Sequence, residues 1–379
     1  MSIKNYFRRI LFFTSFIPEL SPIRVDADMQ LLVPILFCIY YLFFPNRIRW
    51  QKNLLPLLIL SVASFLFHPW SPDSFAYLEN ILLPFLPLLY LGVFNKLKID
   101  FFYSTIKSVI IVYFLVSIFQ VTFPSLYITI FKNLLFEIRW EGIGSDRGIN
   151  VLNVEPSHTS LILIVLLVVM SKSAMSFHLA YYAMILVVQM LCGSAFSLFA
   201  FLLIFLQVMK MYKTQILIPA IAIFMLVFPL FASNRLSDLL EVAKTSPIAV
   251  ITDVSFVLRY NGILMGIVSS FYYLMGTWDF FFSHQLVSFY YSLLDWDIYS
   301  PGNSSLIMEY STRDTSGLGP LMARIGIISF FMFALFFRGL LRNSFLFAIV
   351  FLLFITTFSF GAAPIWIAFG ILSNQNEFI

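Results

Sequence analysis

Long apolar runs, broken by short charged clusters, extend along the whole chain. Read as helices, they place hydrophobic spans at 9–16, 31–44, 54–67, 81–94, 101–123, 160–170, 179–191, 196–208, 216–231, 318–337, 344–358 and 363–372. Runs of this kind mark helices that cross a bilayer, where each backbone polar group must be satisfied within the segment. The expectation is an all-α, polytopic integral membrane protein with about twelve transmembrane helices in a single domain over residues 1–379. The first span is short, and Pro18 and Glu19 crowd its end. The opening segment, MSIKNYFRRILFFTSFIPEL, has a basic start and an apolar centre but no small-x-small cleavage site, so it reads as a retained span.

The charged breaks test this count. With Lys4, Arg8 and Arg9 on the cytoplasmic side, alternate loops must also be cytoplasmic. Those loops hold Arg47, Arg49 and Lys52, then Lys96 and Lys98, Lys172, Lys210 and Lys213, and finally Arg338 and Arg342. Every short basic break falls on the side the rule requires, and both termini are cytoplasmic. Two long loops, 124–159 and 232–317, are then external. The second contains an apolar stretch at 260–278, YNGILMGIVSSFYYLMGTW. Were it a further span, Arg338 and Arg342 would move outside, so it reads as an interfacial helix on the outer leaflet. The segment PSLYITIFKNLLFEI at 124–138 reads similarly.

Composition narrows the class. Of 379 residues, 60% are hydrophobic and 11% charged, against about a quarter charged in a soluble domain. No polar face large enough to coat a water-soluble globule is available. The 46 Phe are abundant even for a membrane protein. The net charge of +4 is no argument for nucleic acid, and no nucleic-acid partner is expected. Cys38 and Cys192 lie in apolar runs and read as small buried hydrophobes, with neither disulfide nor zinc spacing.

Ionisable groups are scarce inside the spans. Lys107 is the clearest, near the cytoplasmic end of its span. A proton- or ion-coupled transporter ordinarily keeps such groups at membrane depth. Here the polar groups gather in the two external loops, which favours chemistry or binding at the outer face. The segment DRGINVLNVEPSHTS, 146–160, sits directly before an almost purely apolar helix. Pro156 suits a first helical turn because its missing N–H costs nothing there. Glu155 would cap that helix, with Ser157 and His158 in its first turn. The exposed N–H groups and the helix dipole attract anions, and Arg147 and Arg139 lie nearby in sequence. Two readings are open: a reaction site, or a wet rim in which Glu155 is only a cap and Arg147 only a headgroup anchor.

RGINVLNVEPSHTS resembles the Arg-Gly…Glu-Pro-Ser signature of O-antigen and capsular polysaccharide polymerases, within the O-antigen polymerase and ligase superfamily. LCGSAFSLFAFLLIF at 191–205 resembles the small-residue turn and span that follow it in such proteins. DVSFVLRYNGI at 253–263 resembles the later external arginine segment, and GLGPLMARIGIISFF at 317–331 resembles the span after that loop. Each motif is short; their order, the span count and the loop sides carry the resemblance over most of the chain.

That resemblance implies a GT-C-like glycosyltransferase of the bacterial inner membrane, requiring no cofactor. It implies en bloc transfer of a growing glycan from undecaprenyl pyrophosphate to a new lipid-linked unit at the periplasmic face. Donor and acceptor are thus both undecaprenyl-pyrophosphate-linked glycans, with membrane lipids, a chain-length regulator and a flippase as further partners. Such chemistry needs a base for the acceptor hydroxyl and fixed cations for the departing pyrophosphate. Arg147 and Arg259 are the first candidates for pyrophosphate, followed by Arg313 and Arg139. For the base, Glu155 is preferred because it shares a motif with Arg147; Asp314, His284 and His158 remain alternatives. Asp253, six residues before Arg259, suits an orienting role. No His/Asp/Glu group has convincing metal spacing, so no metal is expected.

Two competing functions are weighed. A lipid-linked oligosaccharide flippase predicts charged groups facing a cavity and related halves, and neither is visible in the sequence. An O-antigen ligase, which acts on lipid A–core, often has a His-Asn pair before the span after its second large loop; Thr315 and Ser316 stand there. In the same loop, YYSLLDWDIYSPGNSS at 290–305 combines aromatics with Asp295, Asp297 and Asn303, which suits either sugar contact or an interfacial belt.

The sorting of basic breaks makes a direct prediction. Reporter fusions near Lys98, Gly144, Lys213 and Asn303 should report inside, outside, inside and outside. A cytoplasmic report at Asn303 would overturn the interfacial assignment of 260–278.

Overall fold

The structure, a computed structural model, describes residues 2–17, 32–44, 55–67, 85–94, 97–131, 148–153, 156–173, 175–194, 196–212, 326–340 and 362–373, with short pieces at 263, 266–267, 270–271, 322, 349–351 and 353–354. Their regular structure is entirely helical, and no strand occurs among them. In chain order the helices are α1 Ile3–Ser15, α2 Leu32–Phe43, α3 Leu55–Phe67, α4 Leu86–Phe94, a short 3₁₀ turn Ile99–Phe102, α5 Tyr103–Thr122, α6 Pro124–Phe131, α7 Pro156–Met170, α8 Leu179–Cys192, α9 Phe196–Tyr212, α10 Ile327–Leu340 and α11 Ala363–Ser373.

The helix ends have local causes. Ser2 caps α1 by accepting from the Asn5 N–H at 3.4 Å. Pro124 and Pro156 open α6 and α7 at the position that tolerates a missing N–H. His178 caps α8 through Nδ1, which accepts from the Ala180 N–H at 3.3 Å. Gly193 ends α8 with φ at 59°, the left-handed residue that stops a helix with little steric cost for glycine. α1 begins earlier than the apolar run at 9–16 because Ser2 caps the chain a full turn and more before Arg9. The span expected at 216–231, most of 344–358 and nearly all of the 232–317 loop lie outside the described residues; the described positions 263, 266–267 and 270–271 are helical.

α7 is the centre of the assembly. Every residue from Thr159 to Met170 is buried, on all sides of the helix. It packs against α8, α9 and α11, and α11 also packs against α4. α11 is buried on several faces too, through Ile365, Trp366, Ile367, Ala368 and Phe369. A helix apolar all round has no wet side to offer, so enclosure by other helices satisfies it as well as lipid would. α5 packs on α1 and α8, and α3 on α10.

Aromatic side chains fill much of the core. Phe12 stacks on Phe102 at 4.6 Å between ring centroids and meets Phe94 edge-on. Phe37 meets Tyr90 edge-on at 4.8 Å. Near the chain's end, Phe337, Phe354, Trp366 and Phe369 form a second group of tilted and edge-on pairs. These are the offset geometries that the ring quadrupole favours.

The outward faces are apolar as well. α5 exposes Ile111, Leu115, Ile118 and Val121 at helical spacing, and turns Tyr113, Ser117 and Gln120 inward. α3 exposes Leu55, Ile59 and Val62; α9 exposes Leu202 and Leu206; α10 exposes Phe331 and Leu335. Among the described residues, Ile99–Thr122 is the one helix of sufficient length and apolarity to cross a membrane, with 24 residues and a mean hydropathy of 1.8. Leu32–Phe43, Pro156–Met170, Leu179–Cys192 and Ala363–Leu372 are shorter apolar helices.

The two cysteines separate. Cys192 is buried as expected, but Cys38 is exposed. The correction is geometric: α2 turns Val33, Pro34, Phe37 and Tyr40 inward, and Cys38, next to Phe37, falls off that face. Lys107, the conspicuous cation of α5, rests over the Tyr103 ring at 4.0 Å and near the Tyr181 ring at 5.3 Å. About two turns before it, Asp100 accepts from the Ser173 hydroxyl at 2.6 Å, and one turn before it the Tyr103 hydroxyl donates to the Ser176 carbonyl at 3.0 Å. The charges at this end of α5 therefore tie the α7–α8 turn to α5.

Candidate functional site

Residues 148–153, the described part of the loop before α7, are inserted between α5, α6 and the end of α8. A polar loop in an apolar surround must find partners for its own backbone. It does so in three places, each using a residue from a different part of the chain.

The first contact is at Gly148. Its φ is +83°, a conformation that side chains rarely adopt, and a Cβ there would lie 2.2 Å from the Cys192 carbonyl oxygen. The neighbouring Ile149 N–H donates to the Leu191 carbonyl at 3.1 Å. The obstructing atoms are backbone, so they cannot swing away. The Arg-Gly dipeptide thus needs its glycine for docking on the C-terminal end of α8, where Gly193 already turns the chain.

The second contact holds Val151. The Asn153 N–H donates to the Asn150 carbonyl at 3.1 Å, closing a turn in which Val151 is the first central residue. Its φ is 56°, normally left to glycine in such a turn. A β-branched residue in this region is an outlier that costs on the order of 1–3 kcal/mol. The surroundings offset that cost. Gln120 Oε1 of α5 accepts from the Val151 N–H at 2.8 Å, and the Tyr127 hydroxyl of α6 donates to the Val151 carbonyl. Val151 itself is fully buried.

The third contact ties the loop to α7. Asn153 Nδ2 donates to the Thr159 hydroxyl at 2.8 Å and to the Tyr113 hydroxyl at 3.3 Å. Both hydroxyls have already given their hydrogens: Thr159 donates to the Asn150 carbonyl at 2.6 Å, and Tyr113 to the Phe16 carbonyl at 2.7 Å. They can therefore only accept from Asn153, which fixes the orientation of its carboxamide. Asn153 and Thr159 are fully buried, and Asn150 nearly so. Below them, Gln189 of α8 donates from Nε2 to the Ser160 carbonyl at 3.0 Å.

Of the residues expected to carry chemistry, His158 is described. It sits half-buried in the first turn of α7, beside Ser157. Arg147, Glu155, Arg139, Arg259, Arg313, Asp314 and His284 lie outside the described residues, as does Asp253. Chain connectivity still bounds two of them: Arg147 is bonded to Gly148, and Glu155 stands between Asn153 and Pro156 with one residue to spare. Among the described residues no group of three His, Cys, Asp or Glu is placed to hold a metal ion.

The residues that build the loop's seat are Tyr113, Gln120, Tyr127, Asn150, Asn153 and Thr159, and the sequence reading overlooked them. One signal was available. Tyr113, Ser117 and Gln120 stand at i, i+4 and i+7 within 109–121, a stretch of α5 that is otherwise apolar, so they share one face. Nothing in the sequence pairs that face with the 148–153 loop.

Comparison of the chain with protein-family models, with curated proteins and with solved structures finds no match in any of the three.

The seating of Gly148 can be tested alone. Gly148→Ala should lower thermal stability in detergent by more than about 1 kcal/mol and speed amide exchange at Ile149. Val151→Gly, which relieves the positive φ, should leave that exchange slow. An unchanged melting point and a still-protected Ile149 in Gly148→Ala would contradict the docking described here.

Proposed function

We propose that the chain is an O-antigen polymerase of the bacterial inner membrane, joining undecaprenyl-pyrophosphate-linked oligosaccharide units at the periplasmic face. The finer architecture belongs to the same proposal: about twelve membrane-crossing helices in a GT-C-like arrangement, two large external loops and cytoplasmic termini. The membrane reading draws its support from α5, which turns Tyr113, Ser117 and Gln120 inward and Ile111, Leu115, Ile118 and Val121 outward. A helix in water reverses that distribution.

The observation that carries the functional reading is the built loop between the two halves of the Arg-Gly…Glu-Pro-Ser segment. An ordinary rim loop needs no buried carboxamides, no enclosed positive-φ valine and no glycine pressed on a neighbouring helix end. Such investment in one short loop suits a segment whose flanking residues must be held in place. In the proposed reaction, the acceptor hydroxyl gives its proton to Glu155 as its oxygen bonds to the anomeric carbon of the donor glycan. The bond from that carbon to undecaprenyl pyrophosphate breaks, and Arg147 and Arg259 stabilise the charge that leaves. The charged groups at the Asp100 end of α5 are engaged in fold contacts, which weighs against an ion-coupled path there.

Loss of a flippase, a ligase or a polymerase leaves a different surface glycan. Deleting the gene should collapse the lipopolysaccharide ladder to core plus one unit, and the intact gene should restore it. Long polymer persisting on its lipid carrier would indicate a ligase; little surface glycan of any length would indicate a flippase. Long surface polymer in the deletion strain, with no second polymerase encoded, would reject the proposal.

The assignment of charge is tested separately. Arg147→Ala and Arg259→Ala should each remove most polymerisation at normal protein levels. Lys should rescue only in part, since it keeps the charge and loses the bidentate fork. Glu155→Gln keeps shape and capping ability and should be nearly inactive; retained activity would reduce Glu155 to a helix cap.

A further inference from the structure

We propose that Asn153 is a positioning residue for this transfer: its carboxamide sets how the loop that begins next to Arg147 meets the helix that begins next to Glu155. The inference rests on the polymerase reading and adds a residue that the motif does not contain as a reacting group.

The carboxamide is a junction between separate parts of the chain. Through Tyr113 it reaches α5 and, by the Tyr113 hydroxyl, the Phe16 carbonyl just beyond α1. Through Thr159 it reaches the first turn of α7 and, by the Thr159 hydroxyl, the Asn150 carbonyl of the loop itself. Each of these bonds leaves its partner one permitted role, so the set has a single arrangement. The other two seats of the loop, Gly148 on the end of α8 and Val151 between Gln120 and Tyr127, do not involve α7. Asn153 and its partner Thr159 therefore join the loop to α7 through their side chains.

The consequence for the flanking residues follows from chain geometry. Consecutive Cα atoms are about 3.8 Å apart. Arg147 is one such step from Gly148, and Glu155 is one from Pro156 and two from Asn153. Along the chain, the junction of loop and helix is therefore what separates these two residues. Misplacement of a reacting group by about 1 Å can cost on the order of a hundredfold in rate. A positioning fault weakens the transition state and leaves ground-state binding in place, so the loss should fall on kcat rather than KM.

The experiment uses the full chain in lipid nanodiscs. The substrate is lipid-linked repeat unit extracted from a strain lacking this gene and its ligase. N153A should lower kcat at least tenfold with KM within twofold of wild type. Amide exchange should quicken at 148–153 and stay unchanged in α5. T159V, which removes the hydroxyl, should behave like N153A, while T159S, which keeps it, should retain wild-type kcat. The double variant N153A/T159V should lose less than the product of the two single losses, because the two changes share the Asn153–Thr159 bond. If N153A does not accumulate, T159V against T159S makes the same comparison. A kcat within twofold of wild type in N153A or T159V, with quickened exchange at 148–153, overturns the positioning role and leaves the polymerase reading standing. So does an equal loss in T159S and T159V. A wild-type protein that fails to extend the lipid-linked unit, in a strain whose ladder does not depend on the gene, overturns the polymerase reading itself.

Discussion

A polar loop can be enclosed by apolar helices only if its backbone groups are given partners, and in this chain that constraint shapes everything around 148–153. The Thr159 hydroxyl, the Gln120 side chain and the Tyr127 hydroxyl answer it from three directions. An unpaired buried group costs about 1–3 kcal/mol, so each of these partners is worth more than an average contact. Their positions in turn dictate others. Tyr113 and Gln120 must share a face of α5, Gly148 must lack a side chain, and α8 must end where the Leu191 carbonyl can receive the Ile149 N–H.

The same arrangement explains why α7 is central. A helix whose twelve residues from Thr159 to Met170 are all buried has no amphipathic face with which to orient itself. Its packing alone leaves rotation about the axis weakly specified, since one apolar side chain resembles the next. Polar bonds at its first turn, from Thr159 to the loop and from Gln189 to the Ser160 carbonyl, fix that rotation. Directional bonds at one end and close packing along the rest divide the work of orientation and cohesion.

The loop also shows how local disfavour and tertiary support combine. Valine at a φ of 56° would not hold that turn in isolation. Bonds to both its N–H and its carbonyl, together with full burial, keep the turn closed. In the proposed transfer between lipid-linked glycans, a loop held this firmly suits a segment from which reacting groups are positioned.

The helical class, the helix beginning at Pro156 and the buried Cys192 were legible in the sequence, because each depends on a local pattern: apolar runs and a proline at a first turn. The chemistry expected of Arg147 and Glu155 also came from a local motif. Cys38 was misjudged because an apolar run does not say which of its residues face inward when both faces are apolar. Tertiary structure alone decided the rest. Gln120 and Val151 are 31 positions apart, Tyr113 and Asn153 are 40 apart, and Tyr113 and Phe16 are 97 apart. No periodicity links such pairs; they meet because an enclosed loop must bond to whatever polar groups the surrounding helices turn toward it.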